Sequence, residues 1–137
     1  STFVAGFIGA PTMNLLDARL EDRSGDLVVS LGGQAFFAVP GERASACRGW
    51  AGREVIFGLR PEHLVWSETE GDSRSIEVAA SLVEPLGTDT LVFFEISGLE
   101  MVARLPPEAV RNAGDRVRLR PDLRRMHLFD PATGARI

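Results

Sequence analysis

The chain has 137 residues, a hydrophobic content of 45% and a net charge of -4 from 15 basic and 19 acidic residues. That length suits one domain, or two small lobes around a shared core. No apolar run approaches the roughly 20 residues of a membrane-spanning helix, and the negative charge argues against a general polyanion binder. Cys47 is the only cysteine, which excludes an internal disulfide and a thiolate zinc cluster and favours a reducing compartment.

The first ten residues follow a helical pattern. The segment FVAGFI, residues 3–8, places its apolar side chains at one- and three-residue intervals, and no capping residue starts it. We therefore expect residues 1–10 to be the tail of a helix that belongs to something larger.

Beyond this segment, apolar side chains alternate with polar ones between turn signals, which is typical of half-buried strands. The predicted strands are 26–31, 35–39, 53–60, 75–86, 90–96, 99–105, 116–120 and 125–129. Gly32-Gly33 and Ser97-Gly98 predict two hairpins. Residues 106–114, PPEAVRNAG, have a helix-like start and a glycine stop, and predict the one short helix.

The predicted strand 75–86 is long for a small domain. It places Ile76, Val78, Ala80 and Leu82 on one face. A strand of this length must coil or bulge, as strands do when they turn the corner of a barrel and serve two sheets. The pattern therefore predicts an all-β chain of about eight short strands, folded as one or two small barrels of the oligonucleotide-binding (OB) type.

The segment GLRPEHL, residues 58–64, contains an arginine, a glutamate and a histidine within four positions. Pro61 offers no ladder donor and holds Arg60 extended, so the strand must end or swing outward here. Glu62 and His63 are adjacent, and adjacent side chains rarely converge on one substrate atom. A structural role is favoured, in which Arg60 or His63 pairs with an acid or a backbone carbonyl across a lobe junction.

Other chemistry finds little support in the sequence. The chain has no phosphate-binding loop and no serine-nucleophile elbow. Its only histidines, His63 and His127, lie outside any metal-binding motif. The alternating Arg116, Arg118 and Arg120 could follow a nucleic-acid backbone, but a charged strand face is more often the solvated protection of a sheet edge.

Four segments together resemble one protein family: 3–16 (FVAGFIGAPTMNLL), 58–64 (GLRPEHL), 83–94 (VEPLGTDTLVFF) and 127–137 (HLFDPATGARI). The chain resembles the C-terminal part of the ATPase subunits of ABC importers, in the maltose and glycerol-3-phosphate branch. The resemblance spans nearly the whole chain. In that family a regulatory region of transport-associated OB (TOBE, MOP-like) folds follows the ATPase domain.

The resemblance implies that residues 1–10 end the helix leaving an absent ATPase domain, and that 11–137 form a regulatory β domain of two interleaved OB-like lobes. It implies no catalytic residue, metal or cofactor in this segment, with ATP and Mg²⁺ bound by the absent domain. It also implies a homodimer, attachment to ABC membrane subunits at the inner face of the cell membrane, and a docking face for a regulatory protein.

Two groups of residues are candidates for a lobe junction or a subunit interface. The first is Gly58, Arg60, Pro61, Glu62 and His63, and the second is Glu84, Pro85 and Gly87. Two alternatives remain open at this stage. One is an OB-fold module that binds single-stranded nucleic acid, and the other is a module that binds a small oxyanion such as molybdate.

Overall fold

Alternating burial along the chain is accompanied by a structure in which strands are the main elements. The computed structural model describes residues 12–69 and 74–137, so the predicted helix of residues 1–10 lies outside the described residues. The strands are β1 (Asn14–Arg23), β2 (Asp26–Leu31), β3 (Ala35–Ala38), β4 (Glu54–Leu59), β5 (Leu64–Trp66), β6 (Ile76–Ala79), β7 (Leu82–Pro85), β8 (Thr90–Ile96), β9 (Leu99–Leu105), β10 (Arg116–Pro121) and β11 (His127–Phe129). One α-helix, α1 (Gly41–Cys47), and three 3₁₀ helices (Arg48–Trp50, Pro61–His63 and Leu123–Arg125) complete the described elements.

The strands form three sheets in which all pairs are antiparallel. The five-stranded sheet has the order β11-β4-β1-β2-β3, so β4 is hydrogen-bonded to the beginning of the chain on one side and to its end on the other. The second sheet has the order β5-β10-β6, and the third has the order β7-β8-β9. The all-β prediction is confirmed, although the described residues form eleven strands where about eight were expected.

The hairpins follow from residues that accept a positive φ. Ser97 and Gly98 have φ values of 52° and 78°, and join β8 to β9 as predicted. Ser24 and Gly25 have φ values of 57° and 89°, and join β1 to β2 in the same way. Two-residue turns with both φ values positive match the twist of the strands that they connect.

One hydrophobic core unites the three sheets. Phe57 of β4, Phe94 of β8 and Leu119 of β10 are fully buried members of it. Burial of a side chain of this size stabilises the fold by about 1.5–3 kcal/mol relative to exposure. Each sheet contributes to this core, and Leu91, Phe93 and Val102 form a second, smaller buried cluster within the third sheet.

The predicted strand 75–86 is two strands in different sheets. The Ala80 N–H donates to Asp115 O (2.9 Å), at the start of the second sheet, whereas the Ser81 N–H donates to Phe93 O (2.8 Å), in the third. The expected bend between two sheets is thus present, and it divides the segment. The kink also turns Leu82 outward, whereas Val78 and Ala80 are buried, so the predicted common face does not extend to Leu82.

The prediction of the one short helix was wrong: the predicted segment is not helical, and the α-helix of the described residues lies elsewhere. Residues 106–114 form turns, because the Asp115 carboxylate accepts hydrogen bonds from the Arg111 and Asn112 N–H groups and holds the segment out of helical geometry. The helix of the described residues is α1, which the sequence pattern did not reveal. It is only seven residues long, has no side-chain cap and buries only Cys47, so it lacks an apolar stripe.

Candidate functional site

The segment GLRPEHL carries the chain from one sheet to another. β4 ends at Leu59, Arg60 is extended (φ -69°, ψ 147°), and the buried Pro61 starts a 3₁₀ turn that leads into β5 of the second sheet. The chain returns to the five-stranded sheet through residues 122–126, which include the 3₁₀ helix Leu123–Arg125. The strand end that the proline predicts is therefore a crossover between sheets.

The outward and return crossovers are bonded to each other at His63. The Asp122 N–H donates to His63 O (2.9 Å), and an Arg125 Nη1–H faces His63 Nε2 (3.1 Å). Arginine can only donate, so Nε2 is the acceptor in this contact. Nδ1 is buried and has no hydrogen-bond partner among the described residues. His63 thus ties the two crossovers together through both its backbone and its ring.

The side chains of Arg60, Glu62 and His63 go to separate surroundings. Arg60 Nη1 approaches Thr12 O at 3.5 Å, which is a long contact, and Glu62 is exposed. His63 contacts Arg125 instead. The geometry accordingly gives the three residues no shared reaction centre, and describes a junction between segments.

Gly58 is a point of close approach within the five-stranded sheet. It pairs with Leu15 of β1 on one side and with His127 of β11 on the other. A Cβ at this position would lie 2.7 Å from Met13 Sδ and 3.4 Å from His127 Cβ. A side chain here would have to displace the flexible end of Met13 and would crowd its neighbours, so close packing, and not a positive φ, favours glycine at this position.

The second predicted group lies at the end of β7 and in the exposed turn that follows it. Glu84 and Pro85 pair with Leu91 and Thr90 of β8, and all of the predicted group are exposed. Gly87 has a φ of 100°, which the turn requires. The structure places this group far along the chain from the crossovers, in a different sheet, so the two groups are not one site.

Sequence reasoning missed the buried polar residue that ties the sheets together. Asn14 Nδ2 donates to Leu59 O (3.0 Å) and to Val102 O (2.9 Å), while its Oδ1 accepts from the Val102 N–H (2.8 Å). It thereby joins β1 and β4 of the first sheet to β9 of the third. The available signal was an asparagine enclosed by apolar neighbours in MNLL at a strand start.

Arg43 of α1 was also missed. Its Nη1 donates to Arg124 O and to Met126 O, both at 3.0 Å. Those carbonyls belong to the return crossover, so α1 is fastened to the same junction as His63. No sequence signal connects residue 43 with residues 124–126.

The arginine-rich face of β10 is paired with acids. Arg116 donates to Glu77 Oε1, and Arg118 donates to Glu77 Oε2 (3.3 Å). The hydrogen bond from Arg116 is the main reason that the pKa of Glu77 lies below its usual value. Asp122 is likewise hydrogen-bonded by Arg124, which lowers the pKa of its carboxyl group. Two of the three arginines of β10 thus share an acidic partner, which reduces the positive charge of this face and weakens the nucleic-acid alternative.

A cleft of about 760 Å³ opens between β3 and the end of β10. Its walls include Phe36, Val39, Val65 and Pro121. Among the described residues, no group of histidine, cysteine, aspartate and glutamate side chains is arranged to hold a metal ion. Within the same residues, helices are too short and too polar to cross a membrane.

His127 makes the junction sensitive to acid. Burial, and then the positive charges of Arg136, Arg60, Arg43 and His63, lower its pKa from 6.5. A folded-state pKa below the unfolded value means that protonation favours the unfolded chain. Stability is therefore complete above about pH 6.5 and is lost as the pH falls below it.

We expect the free energy of unfolding to decline as the pH falls below about 6.5, by no more than about 1.4 kcal/mol per pH unit, because one proton is involved. Urea unfolding at each pH measures the decline. The variant His127→Gln should show a flatter profile over this range. The paired carboxylates Glu77 and Asp122 have lowered pKa values and contribute only in stronger acid. Parallel profiles for the variant and the wild type would contradict the assignment.

Short antiparallel strands in several sheets around one core define an OB-type β domain. Two family models match the chain: the MalK OB fold domain over residues 9–64 and the TOBE domain over residues 57–129. The TOBE match alone covers more than half of the 137 residues, and the chain belongs to the TOBE domain family. The two matches overlap at residues 57–64, which contain GLRPEHL.

The most similar relatives include ATP-binding proteins of importers. The chain is 38% identical to the sulfoquinovosyl glycerol transport ATP-binding protein SmoE of Agrobacterium fabrum, over 97% of this chain and 36% of the relative. It is 41% identical to the sn-glycerol-3-phosphate import ATP-binding protein UgpC of Cereibacter sphaeroides, and the match covers 100% of this chain and 35% of the relative. It is 33% identical to the trehalose/maltose import ATP-binding protein MalK of Thermococcus litoralis, and the match covers 100% of this chain and 37% of the relative. The chain thus spans about a third of the length of these relatives.

One solved structure with the same fold is the cytoplasmic molybdate-binding protein ModG in its molybdate-bound form. The TM-score is 0.63, and the match covers 90% of this chain and 99% of that one. The sequence identity is 16%, so the likeness shows the fold alone.

Proposed function

We propose that this chain is the C-terminal regulatory region of the ATP-binding subunit of an ABC importer for sugars or for related solutes such as glycerol-3-phosphate. The observation that carries the proposal is similarity along 97–100% of the chain to import ATP-binding proteins of several organisms. In this role the region makes and breaks no bonds, and ATP is hydrolysed by another part of the parent polypeptide. The parent protein works in the cytoplasm, bound peripherally to the membrane subunits.

The mechanical role that we propose is to hold two subunits together. A shared core and the Asn14 bridge make the three sheets one stiff body. A stiff body that pairs with its copy keeps two attached ATPase domains at high effective concentration, so their closure on ATP becomes nearly intramolecular. A regulator that binds the paired regions with different affinity in the open and closed states would then shift the balance between them.

We place the subunit contact at the outer edge of β7. Leu82 and Leu86 are 53% and 47% exposed, and lie beside Glu84, Pro85 and Gly87, the second predicted group. β7 pairs only with β8, so its other edge is open within the described residues. An open edge with two exposed leucines suits the apolar centre of an interface of roughly 800 Å² per partner, formed with a second copy.

A chimera tests both parts of the proposal. This chain would replace the matching third of the Cereibacter sphaeroides UgpC protein, and uptake of labelled glycerol-3-phosphate would be measured in cells that lack their own UgpC. We expect uptake by the chimera. We expect Leu82→Glu to reduce uptake by tenfold or more and to dissociate the purified chimera in sedimentation, because a charge at the centre of an apolar contact is left unpaired.

Val65→Glu is the matched control. Val65 is 38% exposed and lies in the second sheet, away from β7, so this variant should keep both uptake and the dimer. A folded, well-expressed chimera without uptake would contradict the importer assignment. Full uptake with Leu82→Glu would leave the importer assignment intact and overturn the interface.

A further inference from the structure

β3 is the outermost strand of the five-stranded sheet and has one open edge. Among the described residues it pairs only with β2. The Val39 N–H donates to Leu27 O (2.9 Å), just beyond the register pair that contains Ala38. Hydrogen-bonded and non-hydrogen-bonded pairs alternate along an antiparallel ladder, so the backbone groups of Phe37 bond to β2. The N–H and C=O groups of Phe36 and Ala38 therefore point away from β2, toward the open edge.

The cleft between β3 and the end of β10 runs along this edge. Its lining includes the consecutive residues 36–40. The side chains of Phe37 and Val39 belong to the hydrophobic core, whereas Phe36 is half-buried and Ala38 is exposed. Successive side chains of a strand point to opposite faces, so a cleft that is lined by both sets of residues follows the edge of the strand. The free backbone groups of β3 consequently lie along the cleft.

The far side of the cleft is an apolar wall. It is lined by Pro121 at the end of β10, by Leu123 of the return crossover and by Val65 of β5, which is 38% exposed. The volume of about 760 Å³ is in the range of sites that enclose a ligand. A groove with walls on both sides admits one extended segment. The β3 strand of a second copy would bring its own sheet with it and would meet the far wall.

The charged residues of the lining favour an acidic occupant. Three are basic and two are acidic: Arg74, Arg120, Arg124, Glu42 and Asp122. Asp122 also faces Arg125, which lies outside the lining, at 3.6 Å, so two guanidinium groups share its single negative charge. The net charge of the lining is thus positive, and complementary charges across an interface select one partner over others.

We propose that this cleft binds an extended segment of a partner protein, which adds a strand to the open edge of β3. The segment carries apolar side chains that contact Val65 and Pro121, and acidic side chains at the positions between them. In this mode of recognition the main-chain hydrogen bonds supply affinity, and the alternate side chains supply specificity. This assignment goes beyond the proposed function, which gives the cleft no partner.

Hydrogen exchange in the 137-residue chain, measured by nuclear magnetic resonance with and without a synthetic peptide, tests the proposal. The peptide alternates valine with glutamate, is long enough to span β3 and is blocked at both ends. We expect it to slow exchange of the Phe36 and Ala38 amides by tenfold or more, because both N–H groups gain a partner. The Phe37 amide is already bonded to β2 and should change much less.

Two altered peptides separate the contributions of the backbone and of the charges. The same peptide with all of its backbone N–H groups methylated cannot pair with a strand, and should leave the exchange rates unchanged. Lysine in place of glutamate should weaken binding by tenfold or more. Unchanged exchange at Phe36 and Ala38 with the glutamate peptide would overturn the proposal, and so would equal binding of the lysine peptide.

A matched pair of variants separates this site from the subunit contact. Val65→Glu places a carboxylate in the cleft and should weaken binding of the glutamate peptide by tenfold or more, through repulsion and the loss of an apolar contact. Leu82→Glu makes the same change on β7 and should leave peptide binding unchanged. The proposed function predicts the reverse pattern for the dimer and for uptake, so either proposal can fail without the other. An equal loss of peptide binding with both variants would contradict a site in the cleft.

Discussion

Replacing Asn14 by leucine is expected to lower the free energy of unfolding by about 3 kcal/mol or more. Leucine has a similar size, so no large cavity forms, but it cannot bond to Leu59 O or to either backbone group of Val102. Each buried polar group that loses its partner costs about 1–3 kcal/mol. The bonds also link two sheets, so their loss weakens the attachment of β9 to β1 and β4.

Urea unfolding followed by tryptophan fluorescence measures this change, since Trp50 and Trp66 lie in different parts of the fold. Asn112→Ala is the matched control, because Asn112 is exposed and is expected to change stability by less than about 0.5 kcal/mol. If Asn14→Leu proved as stable as the wild type, the three hydrogen bonds would not be what joins the sheets.

The second large effect is expected where two hairpin turns meet. Gly32, after β2, has a φ of 63°, and a Cβ there would lie 2.5 Å from Ser97 Cβ in the turn between β8 and β9. Gly32→Ala therefore incurs about 1 kcal/mol of backbone strain and a further 1–3 kcal/mol of steric overlap. We expect a total loss of about 2–4 kcal/mol in the same unfolding measurement.

A substitution at the neighbouring glycine separates the backbone strain from the steric overlap. Gly33 has a φ of 72°, but a Cβ there would meet nothing within 4 Å, so Gly33→Ala should lose only about 1 kcal/mol. Removing the opposing Cβ with Ser97→Gly should restore part of the stability of Gly32→Ala, and a double-mutant cycle would show the coupling. Equal losses for the two glycines, with no rescue, would contradict a contact between the turns.

The sequence predicted most strands because each is short, alternating and bounded by residues with special backbone freedom. The prediction failed where hydrogen bonds that the apolar pattern does not reveal replaced those of the expected element. Residues 106–114 have a helical pattern, but the Asp115 carboxylate captures their N–H groups. The segment 75–86 places Ile76, Val78, Ala80 and Leu82 two residues apart, but its hydrogen bonds pass from one sheet to another at Ala80 and Ser81.

The candidate site was predictable in part. Proline chemistry located the strand end at GLRPEHL, and the pattern favoured a structural role there. The hydrogen-bond partners of His63 and Arg43 could not be predicted from the sequence. His63 bonds to residues 122 and 125, and Arg43 bonds to residues 124 and 126. Such contacts depend on the return path of the chain, which no short segment encodes. The assignment of the junction and turn residues to particular interfaces remains a prediction.

The position of β4 between β1 and β11 has a consequence for synthesis. Residues 54–59 leave the ribosome long before residues 127–129, so one edge of β4 has no strand beside it while the intervening seventy or so residues are made. Non-local pairing of this kind slows folding, and a bare apolar edge invites association with other nascent chains. The order of translation therefore leaves an interval in which this protein is exposed to aggregation until its last strand arrives.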